Sequence, residues 1–226
     1  MPPDATPPIV VAIDGPAASG KSTTAKRVAA TLGFRHVDSG SIYRAATAAT
    51  LRREPDPTRW TEALVLEAAQ SVTLEPGAGT FYPRLDGAAV DEELRGTPVT
   101  SRVSLIAGMP GVRRWANGMV RGAAAGHAVV CDGRDMGTVV FPEATVKVFL
   151  VADPAERARR RVLERVGRAP TEAEVAAEVE ALLRRDALDE RQTRRAADAE
   201  LIDTTHLTQD AQVARIVALA RTASRG

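Results

Sequence analysis

The chain has 226 residues, of which 44% are hydrophobic and 26% are charged, a composition typical of a globular protein built around one substantial domain. The formal net charge is +1 and only 4% of the residues are aromatic, which argues against a nucleic-acid binder with a broad basic face or a base-stacking platform. A single cysteine, Cys131, excludes an internal disulfide. We also predict a cytoplasmic protein without membrane contacts, since neither a signal peptide nor an apolar run of membrane-spanning length is visible.

The first elements of the chain alternate between apolar runs and turns. Four prolines among residues 1–8 predict a flexible tail, and residues 9–13 form a β-branched apolar run that predicts a strand. A glycine-rich turn follows at residues 14–20. From Lys21 onward apolar residues recur at helical spacing, and residues 34–37 predict a second strand.

Later in the chain, residues 128–131, 146–151 and 201–202 predict further strands. Helices are predicted to begin after Asp153, which is followed by a proline, and after Thr171. Strands that are apolar along their length and alternate with helices indicate a parallel sheet covered on both faces. The predicted fold class is therefore α/β, with about five strands flanked by helices.

One segment departs from this alternation. Residues 71–74, 80–85 and 88–90 have the pattern of short antiparallel strands, with glycine-containing turns between them. We therefore predict a small antiparallel β insertion near residues 70–95.

The glycine-rich turn from Gly15 to Ser22 matches G-x-x-x-x-G-K-[ST] and has the context that this motif requires, a strand before it and a helix after it. Glycines allow successive backbone N–H groups to converge on phosphate oxygens at a helix N-terminus. Lys21 is expected to reach the β and γ phosphates, and the Ser22 hydroxyl to ligate Mg²⁺, the predicted cofactor. The predicted ATP-binding residues are Gly15, Pro16, Ala17, Ala18, Ser19, Gly20, Lys21, Ser22 and Thr23.

Such a loop occurs in GTPases, in motor-like ATPases and in small-molecule kinases. A GTPase needs an N-K-x-D-type element, and the other two lysines, Lys26 and Lys147, lie in different contexts. Oligomeric ATPases usually have longer chains. A small kinase needs a second pocket for the acceptor and arginines around the transferred group.

Arginines are available for that purpose. Arg134 and Asp135 directly follow a predicted buried strand, at the edge where open α/β sheets bind ligands. Charges packed there are costly unless a ligand uses them. Arg157 and Arg161 lie on the helix after Asp153, where a solvated or ion-paired surface position is the alternative interpretation.

These motifs together resemble the bacterial cytidylate kinases, which have the nucleoside monophosphate kinase fold. The resemblance covers nearly the whole chain and is carried by residues 14–22, 38–44, 132–144 and 146–150. The segment 132–144 is the most diagnostic, because related adenylate, guanylate and shikimate kinases lack it. The predicted β insertion matches the extra sheet of the family's monophosphate-binding lobe.

The resemblance implies a P-loop core formed by residues 9–38, 100–153 and 170–226. It places a monophosphate-binding lobe at residues 39–99 and a short helical lid at residues 154–169.

The implied activity is phosphoryl transfer from MgATP to CMP or dCMP by a monomer acting in pyrimidine nucleotide metabolism. Carried over by position, the residues that read cytosine are Ser39, Arg113 and Asp135. Arg44 and Arg134 hold the acceptor phosphate, and Ser104, Arg185 and Asp189 contact the sugar. The implied catalytic residues are Lys21, Arg134, Arg157 and Arg161.

The chain departs from the family pattern at Gln192, where the family has an arginine. Arg191 or Arg194 is the candidate replacement. The alternatives left open are another small P-loop kinase, acting on UMP or on a non-nucleotide acceptor, and a non-catalytic ATP-binding regulator.

Overall fold

The computed structural model describes residues 8–224, so the predicted tail at residues 1–8 lies outside the described residues except for Pro8. The strands are β1 (Val10–Asp14), β2 (Arg35–Asp38), β3 (Val72–Pro76), β4 (Phe81–Leu85), β5 (Ala88–Ala89), β6 (Val129–Gly133), β7 (Val146–Val151) and β8 (Glu200–Asp203). The α-helices are α1 (Lys21–Leu32), α2 (Ser39–Arg53), α3 (Glu62–Ala69), α4 (Asp91–Arg95), α5 (Thr97–Thr100), α6 (Val103–Ala107), α7 (Pro110–Ala124), α8 (Pro154–Val166), α9 (Glu172–Asp189) and α10 (Gln209–Ala223). Within residues 8–224, no helix combines the length and apolar character needed to cross a membrane.

Five strands form a parallel sheet in the order β2-β6-β1-β7-β8. The sheet is apolar on both faces because helices cover both. Val11 and Ile13 of β1 belong to the core under α1 and α10, whereas Ala12 belongs to the core under α2, α3 and α7. The predicted α/β class and the predicted number of strands are confirmed.

The helices begin and end at residues suited to those positions. Gly33 closes α1 in the left-handed conformation with a φ of 70°. The Asp153 side chain accepts hydrogen bonds from the first turn of α8, and Thr171 forms a capping box with Glu174 at the start of α9. The predicted starts of these two helices are thus confirmed.

The β insertion is a separate antiparallel sheet in the order β3-β4-β5. It ends at Ala89, and residues 91–95 form the short helix α4, whose first turn is acidic as helix N-termini favour. The β3–β4 hairpin contacts the main sheet at its turn, where the His36 backbone N–H donates to the Gly79 oxygen at 2.9 Å. The insertion is therefore anchored to β2.

Candidate active site

A cavity opens at the carboxyl edge of the parallel sheet, the edge where α/β sheets bind ligands. Its walls come from the loop after β1, the start of α2, helices α6 and α7, the end of β6, and helices α8 and α9. The predicted site residues that line it are Ala17, Ala18, Lys21, Ser22, Ser39, Arg44, Ser104, Arg113, Arg134, Asp135, Arg161, Arg185 and Asp189. Most of the residues selected from sequence therefore share one cavity.

The loop between β1 and α1 requires glycine at two positions. Gly15 has a φ of 153°, and a Cβ atom there would lie 2.3 Å from the backbone oxygen of Leu150 in β7. Gly20 has a φ of 86° and directly precedes α1. Both angles lie in a region that side chains disfavour. The loop can therefore pack against β7 and direct the N-terminus of α1 toward the cavity.

Lys21 is buried in this loop, and its Nζ donates to the Pro16 oxygen at 2.9 Å. Burial lowers the pKa of Lys21 well below its ordinary value, and the nearby charge of Arg134 lowers that pKa further. The buried Ser19 hydroxyl has no hydrogen-bond partner among the described residues. A bound anion would offset the crowding of positive charge, as expected for a phosphate site.

Hard oxygen ligands for Mg²⁺ lie beside Lys21. The Ser22 hydroxyl donates to Asp132 Oδ2 at 2.5 Å, and Asp132 is buried at the end of β6. Burial alone would raise the pKa of Asp132, but hydrogen bonds from His36 and Ser22 hold that pKa below its ordinary value. An ionised carboxylate beside a hydroxyl suits Mg²⁺.

The metal would need further ligands from a nucleotide. In residues 8–224, His, Cys, Asp and Glu side chains nowhere gather in threes as a metal site of their own. Mg²⁺ usually completes its coordination with phosphate oxygens and water. The pair formed by Ser22 and Asp132 therefore fits a metal that arrives with a nucleotide.

On the opposite wall, the buried carboxylate of Asp135 forms an ion pair with Arg113, which is half-buried. Arg113 also donates to the Ala107 oxygen at 3.0 Å, and its guanidinium lies 5.8 Å from the centre of the Tyr43 ring. Ser39, which also lines this wall, donates to the Asp132 backbone oxygen at 2.8 Å. A carboxylate and a guanidinium held in fixed positions can read an edge of a base that carries both donors and acceptors.

The turn that carries Asp135 is fixed by β1. Both carboxylate oxygens of Asp14 accept backbone hydrogen bonds, from Met136 and from Gly137, each at 2.8 Å. Burial raises the pKa of Asp14 to about 6, although these two hydrogen bonds favour its ionised form. Asp14 therefore positions the cavity wall without lining it.

Three arginines crowd the floor of the cavity. The pKa of Arg185 is lowered to about 10, chiefly by burial and also by the charges of Arg134 and Arg44. Arg134 is partly balanced by Asp189, whose Oδ2 accepts from its Nε at 3.2 Å. The Nε of Arg185 is buried without a hydrogen-bond partner among the described residues. Such a surplus of positive charge indicates an anionic ligand.

The position that departs from the family pattern also faces this cavity. Gln192 lines it, and its buried Oε1 has no hydrogen-bond partner within residues 8–224. The side chains of Arg191 and Arg194 are exposed, and neither belongs to the lining. The cavity is therefore lined by the neutral amide of Gln192, whereas the sequence analysis predicted a positively charged side chain from Arg191 or Arg194.

The two predicted lid arginines have different surroundings. Arg161 lines the cavity and pairs with Glu178 at 3.0 Å. Arg157 is buried outside the lining, donating to the Ala17 oxygen at 2.9 Å and to Asp186 Oδ2 at 2.7 Å. Arg157 therefore contacts the phosphate-binding loop rather than the cavity. Thr23 also lies outside the lining and is exposed.

Sequence reasoning missed three residues that support the site. Asp132 lies in the segment recognised from sequence, at the strand end where an acid could have been selected. Asp186 accepts from the Ala17 backbone N–H at 3.2 Å, and His36 contacts Asp132 at 2.7 Å. These two contacts join positions 169 and 96 residues apart, and no local pattern announces them.

Comparisons with known proteins agree with this arrangement. The profile of the family described as cytidylate kinase matches residues 11–222. A cytidylate kinase of Chlorobaculum tepidum is 43% identical over 214 residues, covering 91% of this chain and 90% of the relative. One from Geobacillus kaustophilus is 44% identical, covering 92% of this chain and 95% of the relative. The resemblance inferred from the motifs is confirmed, and the chain belongs to the cytidylate kinase family.

Proposed function

We propose that this chain transfers the γ-phosphoryl group of MgATP to CMP and dCMP, forming ADP and CDP or dCDP. The observation that carries the proposal is that one cavity is lined both by the phosphate-binding loop and by the ion pair of Arg113 and Asp135. Names of relatives at about 40% identity over most of the chain support the same activity.

The loop after β1 holds the donor in this proposal. Lys21 contacts the β and γ phosphates, and backbone N–H groups of the loop bind their oxygens. Ser22 and Asp132 would hold Mg²⁺, which would neutralise charge on the donor phosphates when bound. Because Lys21 is buried and its own charge is unfavourable, a phosphate gains more from it than from an exposed lysine.

The opposite wall selects the acceptor base. Cytosine presents an amino group at N4 and acceptors at N3 and O2, which complement the carboxylate of Asp135 and the guanidinium of Arg113. Uracil has an oxygen at position 4, which would meet the Asp135 carboxylate without a hydrogen between them. A buried polar group left unpaired in this way discriminates strongly against the wrong ligand. Ser39 completes the base site.

The remaining lining residues hold the rest of the acceptor. Arg44 and Arg134 bind its phosphate, while Ser104, Arg185 and Asp189 contact its sugar. The charges of Arg134 and Arg44 contribute to the lowered pKa of Arg185, and a phosphate bound by Arg44 and Arg134 would offset them.

The reaction requires little acid–base chemistry. A phosphate oxygen of CMP attacks the γ-phosphorus in line, and the bond from the γ-phosphorus to the bridging oxygen of ADP breaks. The attacking oxygen is already anionic near neutral pH, so the cavity mainly positions and neutralises. Arg134 and Arg161 neutralise charge around the transferred group, and Arg157 acts through the loop.

We divide the chain accordingly into a core of residues 9–38, 100–153 and 170–226, a monophosphate-binding lobe of residues 39–99, and a lid of residues 154–169. Closure of the lid would exclude water and limit ATP hydrolysis. We further propose a monomer that acts in the cytoplasm, in pyrimidine nucleotide metabolism.

A coupled assay of ADP release tests the proposal. Purified protein is given MgATP with CMP, dCMP, UMP, AMP, GMP or shikimate in parallel. We expect fast turnover with CMP and dCMP and slow turnover with the other acceptors. Comparable turnover with UMP or shikimate would indicate a different small kinase. ATP binding without turnover on any acceptor would indicate a binding protein.

A further inference from the structure

His36 is a buried histidine that the phosphoryl-transfer mechanism does not use directly. It lies in β2 and is 1% exposed. Its Nε2 lies 2.7 Å from Asp132 Oδ1, and its Nδ1 lies 3.2 Å from the Thr80 hydroxyl in the β3–β4 turn. The imidazole therefore bridges the β insertion and the end of β6.

The contact with Asp132 is a donated hydrogen bond. A carboxylate held in its ionised form only accepts, so the imidazole nitrogen facing it carries the proton. The other oxygen of Asp132 accepts from Ser22 at 2.5 Å. His36 and Ser22 thus engage one oxygen each, and together they fix the plane of the carboxylate.

The imidazole is anchored independently of Asp132. The His36 backbone N–H donates to the Gly79 oxygen at 2.9 Å, and the Thr80 hydroxyl, which has one proton to donate, lies 3.2 Å from both the His36 backbone oxygen and Nδ1. Because the hairpin turn holds the main chain of His36 and places the Thr80 hydroxyl against the ring, it orients Nε2 toward Asp132. This is the arrangement by which outer contacts orient a metal-holding carboxylate.

We propose that His36 is a positioning residue for Mg²⁺, which orients the Asp132 carboxylate and thereby makes nucleotide binding responsive to the metal. The inference rests on the proposed function to the extent that the nucleotide binds with Mg²⁺ at Ser22 and Asp132. It assigns His36 no contact with the nucleotide or with the metal.

Two amide substitutions separate this role from simple packing. The side-chain nitrogen of Gln reaches about as far from the main chain as Nε2 of His, whereas that of Asn reaches about as far as Nδ1. His36→Gln therefore keeps a donor for Asp132, and His36→Asn keeps only a partner for Thr80. Both variants place an amide in the same buried position, so each controls for the other's loss of the imidazole.

The measurement is ADP binding by calorimetry, with Mg²⁺ and with a chelator, alongside the thermal midpoint of each variant. We expect His36→Asn to weaken ADP binding about 10-fold or more in Mg²⁺, with chelated binding unchanged. In His36→Gln, Mg²⁺ should still increase the affinity for ADP nearly as much as in the wild type. In the turnover assay His36→Asn should need more Mg²⁺ for half-maximal rate while KM for CMP stays constant.

Two outcomes would overturn the inference. The first is an equal gain from Mg²⁺ in wild type, His36→Asn and His36→Gln. The second is a loss in His36→Asn that is the same with and without Mg²⁺, which would mark a packing role. If His36→Asn does not fold, a His36→Gln variant that folds but has lost the response to Mg²⁺ also overturns it. Wild-type ADP binding that ignores Mg²⁺ would instead count against the proposed function itself.

Discussion

Replacing Asp135 with Asn should shift base selectivity from cytosine toward uracil. Asp135 is 4% exposed, and its partner Arg113 is held separately by the Ala107 oxygen. The amide keeps the size of the side chain but replaces an acceptor-only group with one that also donates. A donated hydrogen bond can reach the uracil O4, whereas the cytosine amino group loses a charged acceptor.

The size of the effect follows from the burial and the charge of Asp135. A hydrogen bond to a charged group contributes about 1.5–3 kcal/mol, and 1.4 kcal/mol corresponds to a factor of ten. The kcat/KM for CMP should therefore fall roughly 10- to 150-fold. UMP loses a repulsive contact at the same time, so the ratio of kcat/KM for UMP to that for CMP should rise by at least about 10-fold.

The assay is ADP release at varied CMP and UMP. Glu180→Gln is the matched control, because it makes the same change from carboxylate to amide on an exposed part of α9, where Glu180 pairs with Arg184 alone among residues 8–224. The control should leave kcat/KM unchanged for both CMP and UMP. If the ratio of kcat/KM for UMP to that for CMP stayed unchanged in Asp135→Asn, Asp135 would not take part in base recognition. An equal fall of both kcat/KM values would show that Asp135 only holds Arg113.

Further variants test the arginine cluster and the phosphate loop. Neither Arg191 nor Arg194 lines the cavity, so changing either to Ala should alter KM for CMP by less than about 2-fold, as for a surface position. A rise in KM of about 10-fold would show that the changed arginine makes the contact that the family's arginine makes at the position of Gln192. Gln192→Ala should raise KM for CMP, because the buried Oε1 faces the cavity; an unchanged KM would show that Gln192 makes no contact. Sulfate should raise the thermal midpoint of the wild-type protein by binding the folded state. Lys21→Met should remove much of that rise and should lower kcat about 10²- to 10³-fold. If sulfate stabilised Lys21→Met as much as the wild type, the anion would bind away from Lys21.

The strands could be predicted from sequence, but the residues at which they end were predicted less accurately. Apolar runs at residues 9–13, 34–37 and 128–131 indicate strands, yet β1, β2 and β6 each continue to a later residue. Ladder pairing continues there, with Asp38 opposite Asp132. Hydrophobic pattern marks the apolar part of a strand and stops where the chain becomes polar. In this fold the polar ends of β2 and β6 form part of the cavity wall.

The phosphate loop could be predicted with its residues because its chemistry is local. Backbone geometry and a helix start within eight residues specify it, and the structure requires glycine where the motif has it. The acceptor wall is not local, since it joins α2, α7 and the end of β6. Its residues were found through resemblance to a family, and no periodicity in this chain would have brought Arg113 to Asp135.

The buried polar contacts between residues far apart in the chain could not be predicted from the sequence. His36 lies in an ordinary strand, and the three histidines are far apart in the chain. Burial of an imidazole is costly without partners, so its position is explained only once Asp132 and Thr80 are seen around it. Cys131, by contrast, lies in the apolar run of residues 128–131 and is fully buried, as that run predicts.

Arg157 and Arg161 share helix α8, but their surroundings predict different losses. Arg157 and Asp186 hold Ala17 from both sides, since Arg157 donates to its oxygen and Asp186 accepts from its N–H. Removing Arg157 leaves a mostly buried carboxylate and a loop carbonyl without their partner. Breaking such a pair costs up to about 3–5 kcal/mol, and we expect the lower part of that range because Asp186 is 23% exposed.

Arg161→Ala should instead spare stability. Glu178 keeps Arg165 at 2.9 Å when Arg161 is removed, so no buried charge is left alone. Arg157→Ala should therefore lower the thermal midpoint and raise KM for ATP, whereas Arg161→Ala should lower kcat with both nearly unchanged. Asp186→Asn should reproduce the losses of Arg157→Ala, because it weakens the same contact. If Arg157→Ala kept the wild-type midpoint and KM for ATP but lost kcat, Arg157 would act on the transferred phosphate and not on the loop.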